Sequence, residues 1–238
     1  MKNYVLVHGG WEGSFFWEEV KPLLTKKGNQ VKLVDLPGSY GNKQPIDKVT
    51  LENCVAETIK VINEFDGKVI LVGHSLAGVV ISEVAERIPE KFEKLIYIAA
   101  PLLRSGESVI EILQNDEDGQ LLPKVVFSED QSYAMVDEKT WRAVALHDIK
   151  EETIQRILPK MADKQATEPF MTKVNLSEEK FGSVSKVYIK TAYDRVMSPA
   201  SQDRMIEGWP VEKVHTLESG HFPGFSVPEK LVEMILEK

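Results

Sequence analysis

The run Lys68-Val69-Ile70-Leu71-Val72-Gly73-His74-Ser75-Leu76-Ala77-Gly78 places a serine where a hydroxyl can become a nucleophile. An apolar, strand-like run ends at a small residue, the serine follows at once, and two further small residues open a helix. That is the setting of a nucleophile elbow. The turn is so sharp that the serine is driven toward positive φ, and the residues two before and two after it must be small to avoid collision. Gly73 and Ala77 occupy those positions, and Gly78 keeps helix and strand close. Ala77 departs by one methyl from the commoner glycine. The same letters also fit an ordinary strand–turn–helix with Ser75 as N-cap, but strand before and helix after favour the elbow. In that geometry the Leu76 N–H, at the positive end of the helix, points where an oxyanion would form.

A serine nucleophile needs a base and a group that orients the base. Of five histidines, His221 in Leu217-Glu218-Ser219-Gly220-His221-Phe222-Pro223 lies just past a strand and before the last helix, so its loop overhangs the same sheet edge as Ser75. His215 falls inside a strand pattern, His147 with Asp148 reads as a turn, and His74 is on the wrong side of the elbow. The orienting acid is Asp194, in the loop after Lys186-Val187-Tyr188-Ile189-Lys190-Thr191. Taken alone it would read as a turn residue paired with Arg195. The chain order Ser75, Asp194, His221, each at a strand end, favours the catalytic assignment. The second oxyanion donor is expected from the first strand's loop, Val7-His8-Gly9-Gly10-Trp11, where the Gly10 N–H can approach a ligand closely. His8 is expected to bond within that loop.

These residues require a parallel sheet to bring them together. Six short apolar runs, 4–7, 31–36, 69–72, 95–99, 187–191 and 214–217, read as strands buried on both faces. Helical patterns separate them at 15–27, 51–65 (with Thr50 as N-cap), 77–88 and 228–236. The expected fold is α/β, a mostly parallel six-stranded sheet flanked by helices. The alternation breaks after Pro101. Residues 102–183 show no sheet strand beyond a candidate at 125–127, and carry helical patterns at 137–146 and 151–161. The stretch is too long for a plain loop. It reads as a mainly helical cap inserted before the last two strands, with 1–101 and 184–238 as the core domain. Such an insertion overhangs the carboxyl edge of the sheet, where open α/β folds bind ligands. Trp11, Trp141 and Leu146 are the expected pocket side chains, while most other apolar cap residues are expected to pack the cap itself.

Composition narrows the remaining functions. The chain has 238 residues, 29 Lys plus Arg against 37 Asp plus Glu, and one cysteine. An acidic chain without a basic stripe argues against a nucleic-acid partner. A lone cysteine, Cys54, excludes a disulfide framework and a cysteine-based metal site. No apolar run approaches the ~18 residues of a membrane span, and the opening run is too short for a signal peptide. The expectation is a cytoplasmic protein, without cofactor or metal, not bound to a membrane, and able to form a homodimer.

At this point the sequence resembles the α/β-hydrolase superfamily. More narrowly it resembles the branch of plant methyl esterases, hydroxynitrile lyases and bacterial carboxylesterases. The residues that carry this are the opening His8-Gly9-Gly10-Trp11-Glu12-Gly13-Ser14-Phe15-Phe16-Trp17, then Asp35-Leu36-Pro37-Gly38, the elbow, Asp194-Arg195-Val196 and Gly220-His221. Glu12 stands where many members of the branch have histidine. The resemblance implies a small carboxylic ester as substrate, cleaved through an acyl-enzyme. It also implies alternatives on the same residues: a receptor without turnover, or lyase, thioesterase or C–C hydrolase chemistry. The lyases of the branch carry a lysine directly after the catalytic histidine and a threonine in the first loop. Phe222 and Gly9-Gly10 stand there instead, which favours hydrolysis.

Overall fold

The computed structural model describes residues 1–237. Its first half alternates strand and helix: β1 (Asn3–Val7), α1 (Val20–Lys26), β2 (Gln30–Val34), α2 (Leu51–Ile62), β3 (Val69–His74), α3 (Ala77–Arg87) and β4 (Phe92–Ile98). The inserted segment follows with α4 (Val109–Gln114), β5 (Val126–Phe127), β6 (Tyr133–Met135), α5 (Glu138–Val144), α6 (Glu151–Ile157), β7 (Gln165–Ala166) and α7 (Glu168–Met171). The chain then returns through β8 (Lys186–Thr191), α8 (Pro199–Ile206), β9 (Lys213–Leu217), α9 (Pro223–Ser226) and α10 (Pro228–Leu236). The main sheet has the order β2-β1-β3-β4-β8-β9, with every pairing parallel. β3 is buried along its whole length, as its apolar run requires, while β9 at the edge alternates half-buried and exposed up to its buried last residue, Leu217.

Two local expectations give way. The helix expected over 15–27 is split into a 3₁₀ turn at Ser14–Trp17 and α1, whose C-cap Lys27 is followed by Gly28 at φ +82°. The inserted segment is mainly helical, as expected, but the expectation of no strand beyond 125–127 fails, since β5, β6 and β7 form an antiparallel three-stranded sheet. Its hairpin is closed by Asp130, whose carboxylate accepts from the Ser128 and Ser132 hydroxyls and the Ser132 N–H. Strands of two or three residues are too short to leave a periodic signal.

The cap has no core of its own. Leu102, Val109, Val174 and Phe181 join the apolar cluster on one face of the sheet, and Trp141, Leu146, Ile154 and Ile157 join the cluster on the other. Polar contacts tie it further. Buried Asp116 accepts the Ser198 N–H at 2.7 Å and the Ser198 hydroxyl at 2.5 Å, at the start of α8. Fully buried Lys186 is held by the carbonyls of Phe181 and Val184 at 2.8 and 2.7 Å, with its ammonium 4.2 Å from the Phe181 ring centre.

Helix α3 approaches the chain closely at its second residue. A Cβ on Gly78 would lie 2.3 Å from the Pro101 carbonyl oxygen, which is backbone and cannot swing aside. Gly78→Ala is therefore expected to cost about 2 kcal/mol or more, read from urea unfolding. Asp116→Ala strands the buried Ser198 donors and is expected to cost about 1–3 kcal/mol in the same measurement.

Candidate active site

Ser75 sits between the end of β3 and the start of α3 with φ +49°, inside the left-handed region. The turn is held by the Ser75 N–H donating to the Ile98 carbonyl at 3.2 Å and the Gly78 N–H donating to the Ser75 carbonyl at 2.8 Å. A Cβ at Gly73 would press on Ile81 at 3.0 Å and the Ala77 carbonyl at 3.1 Å, so the small residues before the serine have a visible cause. His221 presents Nε2 to the Ser75 Oγ at 2.9 Å and Nδ1 to the Asp194 Oδ2 at 2.8 Å. The three residues expected from their separate strand ends thus form one hydrogen-bonded line.

Asp194 and His221 are both buried. Burial alone would raise the Asp194 carboxyl. The His221 charge and hydrogen bond, the Met197 N–H and the Thr191 hydroxyl outweigh it and hold the group below the ordinary carboxylate value. Burial alone would lower His221. The Asp194 charge and hydrogen bond, with weaker help from Glu12 and Asp148, raise it above the ordinary 6.5.

Gly10 and Leu76 border the same cleft as Ser75 and His221. Neither N–H is engaged in a hydrogen bond among the described residues. The loop that carries Gly10 is fixed from several sides. His8 donates from Nδ1 to the Gly9 carbonyl at 2.8 Å and accepts the Leu36 N–H at Nε2, 3.1 Å, which defines a neutral ring. Its burial pulls its pKa down, in keeping with that bonding. Trp11, at φ +59°, donates its N–H to Gln165 at 2.7 Å and accepts the Ala162 N–H at 2.9 Å.

Glu12 is buried beneath this loop. Its carboxylate accepts the Gly9 N–H at 2.8 Å and faces His74 Nδ1 at 3.0 Å. The other ring nitrogen of His74 donates to the His221 carbonyl at 2.7 Å, and its ring stacks on Phe16 at 4.0 Å. His74 does not touch the serine hydroxyl; it supports the base from behind. A carboxylate at position 12 thus meets both the Gly9 N–H and the His74 ring.

The cleft holds about 790 Å³ of empty space, including its open mouth. Trp11 and Trp141 line it, edge to face at 5.5 Å, with Leu121, Leu122, Phe127 and Phe170 from the cap. More of the apolar cap residues face the cleft than expected. Leu146 does not: just past α5, with its N–H bonded to the Trp141 carbonyl, it is 1% exposed in the core cluster. Gln165 and Asp148 were not foreseen, because their partners lie far away in sequence. His147 turns away from the cleft toward the Tyr193 carbonyl. His215 remains at the sheet edge, 3.4 Å from Glu237. No helix of the described residues is long and apolar enough to cross a membrane.

Residues 4–234 match the model of the alpha/beta hydrolase family. Methylesterase 17 of Arabidopsis thaliana is 30% identical over 99% of this chain and 90% of its own length. Two chloroplastic relatives from the same plant are 30% and 31% identical, and the chain spans only 63% and 56% of their length. A pyrethroid hydrolase from Sphingobium faniae JZ-2 superimposes with a TM-score of 0.86 at 27% identity, over 98% of this chain and 95% of that one. Polyneuridine aldehyde esterase, at 22% identity and a TM-score of 0.86, shares the fold over 99% and 98% of the two chains. With its parallel sheet, its strained serine and these likenesses together, the chain belongs to the alpha/beta hydrolase family.

Proposed function

We propose that the protein is a carboxylic ester hydrolase acting through Ser75, His221 and Asp194. The observation that carries this reading is the continuous line Ser75 Oγ–His221 Nε2, His221 Nδ1–Asp194 Oδ2, beside two unengaged N–H donors. In this scheme His221 takes the Ser75 proton as the hydroxyl attacks the ester carbonyl, and Asp194 stabilises the imidazolium and fixes its orientation. The Gly10 and Leu76 N–H groups receive the oxyanion, and such a donor is typically worth about 2.7–4 kcal/mol in the transition state. His221 returns the proton to the departing alcohol. A water, deprotonated in turn by His221, then releases the acid and restores Ser75.

The cleft suits an uncharged, apolar ester. Among its described lining residues there is no Lys or Arg, and Glu12 supplies the only carboxylate. Phe222 fills the place next to His221, so no cation stands ready for a cyanide leaving group, which supports hydrolysis over lyase chemistry. The names of the relatives, methylesterase and pyrethroid hydrolase, are consistent with ester substrates for this chain as well.

A fluorophosphonate probe is expected to label Ser75, with labelling lost in His221→Ala. With p-nitrophenyl butyrate, Ser75→Ala is expected to lower kcat by about 10⁴-fold or more. Equal turnover by wild type and Ser75→Ala would overturn the assignment. The base must be neutral to accept a proton, so kcat/KM should fall as pH is lowered through the raised His221 value, with its midpoint above 6.5. Asp194→Asn removes the charge that raises His221. Its acid limb is expected to move to lower pH while kcat drops by about 10³–10⁴-fold.

A further inference from the structure

One dipeptide of the cap reaches both loops that carry the acid and the base. His147 Nε2 donates to the carbonyl of Tyr193, the residue before Asp194, at 2.9 Å. Asp148 Oδ2 accepts the N–H of Gly220, the residue before His221, at 2.6 Å. The two loops also meet directly, with the Tyr193 N–H donating to the Ser219 carbonyl at 3.0 Å. The approach is close enough to dictate a residue type. A Cβ on Gly220 would stand 2.6 Å from Asp148 Oδ1 and 3.1 Å from His147 Nε2. Buried residues flank the dipeptide, Leu146 at 1% exposure and Ile149 at 8%, so the polar pair is held by apolar side chains on each side.

We infer that His147 and Asp148 are positioning residues, and that seating of the cap sets the Asp194 and His221 loops in register for catalysis. The cap is then part of the triad's framework as well as a cover for the cleft. It fixes the acid loop a second time, through the Arg195 guanidinium on the Ala143 carbonyl at 2.9 Å. On the base loop, the Asp148 carboxylate works opposite His74, which grips the His221 carbonyl from the core. The ionisable groups facing His221 are Asp194 at Nδ1, His74 with its ring 4.9 Å away, Glu12 behind His74, and Asp148 from the cap. Of these, only Asp148 belongs to the cap. Its negative charge favours the protonated imidazole.

The kinetic part of the test rests on the proposed hydrolase reading; the structural part does not. Wild type, Asp148→Asn, Asp148→Ala, Gly220→Ala, His147→Ala and His147→Gln are compared by p-nitrophenyl butyrate kinetics and by NMR titration of the His221 ring proton. Asp148→Ala and Gly220→Ala are expected to lower kcat by about 10-fold or more with KM changed less than about threefold, since loop displacement acts on the chemical step. Asp148→Asn keeps an oxygen for the Gly220 N–H but no charge. It is expected to retain most of kcat while the His221 titration and the acid limb of kcat/KM move together to lower pH. His147→Gln keeps a donor for the Tyr193 carbonyl and should retain more activity than His147→Ala. Wild-type kcat in Asp148→Ala, or an unmoved His221 titration in Asp148→Asn, would overturn the inference. If an alanine variant does not fold, the Asp148→Asn titration decides. A wild type that leaves the ester intact, with the His221 titration still moved in Asp148→Asn, would sink the hydrolase reading and leave the positioning role standing.

Discussion

The positive φ of Ser75 is the constraint around which the rest is arranged. A non-glycine residue in the left-handed region is costly and persists only when its surroundings over-determine it. Here the surroundings are the end of β3, the first turn of α3 and the backbone at Pro101, packed so tightly that Gly78 has no room for an added carbon and one on Gly73 would press on Ile81 and the Ala77 carbonyl. That turn brings the hydroxyl to the sheet edge, where Ser75 and Leu76 line the same cleft. The β3–β4 and β4–β8–β9 pairings then bring the loops of Asp194 and His221 to the edge where the serine stands.

Around this rigid turn the base is gripped from both sides of its backbone. The Glu12–His74 pair holds the His221 carbonyl from the core, and Asp148 holds the preceding N–H from the cap. Neither contact touches the reacting atoms in the proposed scheme. Both act on where the imidazole stands, and misplacement by about 1 Å can cost a factor of 10² in rate. Because the cap shares both apolar clusters with the sheet, its packing and the geometry of the line of three residues are one mechanical unit.

The parallel sheet and the Ser75–His221–Asp194 line were legible in the sequence for a local reason. Ser75 and Asp194 follow buried strands, which announce themselves as apolar runs, and His221 follows the shorter edge strand β9. The elbow added a second local signal, small residues at fixed offsets from Ser75. The cap lacked both kinds of signal. Its strands are two or three residues long, and Gln165, His147 and Asp148 owe their positions to partners 46 to 154 residues away. Leu146 was misplaced because an apolar residue at a helix end can face a cleft or a core with equal ease, and only the packing of α5 decides. Glu12 was visible as an oddity, yet its meaning needed His74 beside it.

That pairing limits how the sequence can drift. His74 has an acceptor at each ring nitrogen, one of them a backbone carbonyl that no substitution can alter. A change of Glu12 to histidine would set two imidazoles face to face in a buried space and release the Gly9 N–H. Positions 12 and 74 are therefore coupled physically: a substitution at either strands a hydrogen-bonding group of the other in a buried space and loosens the grip on the His221 carbonyl.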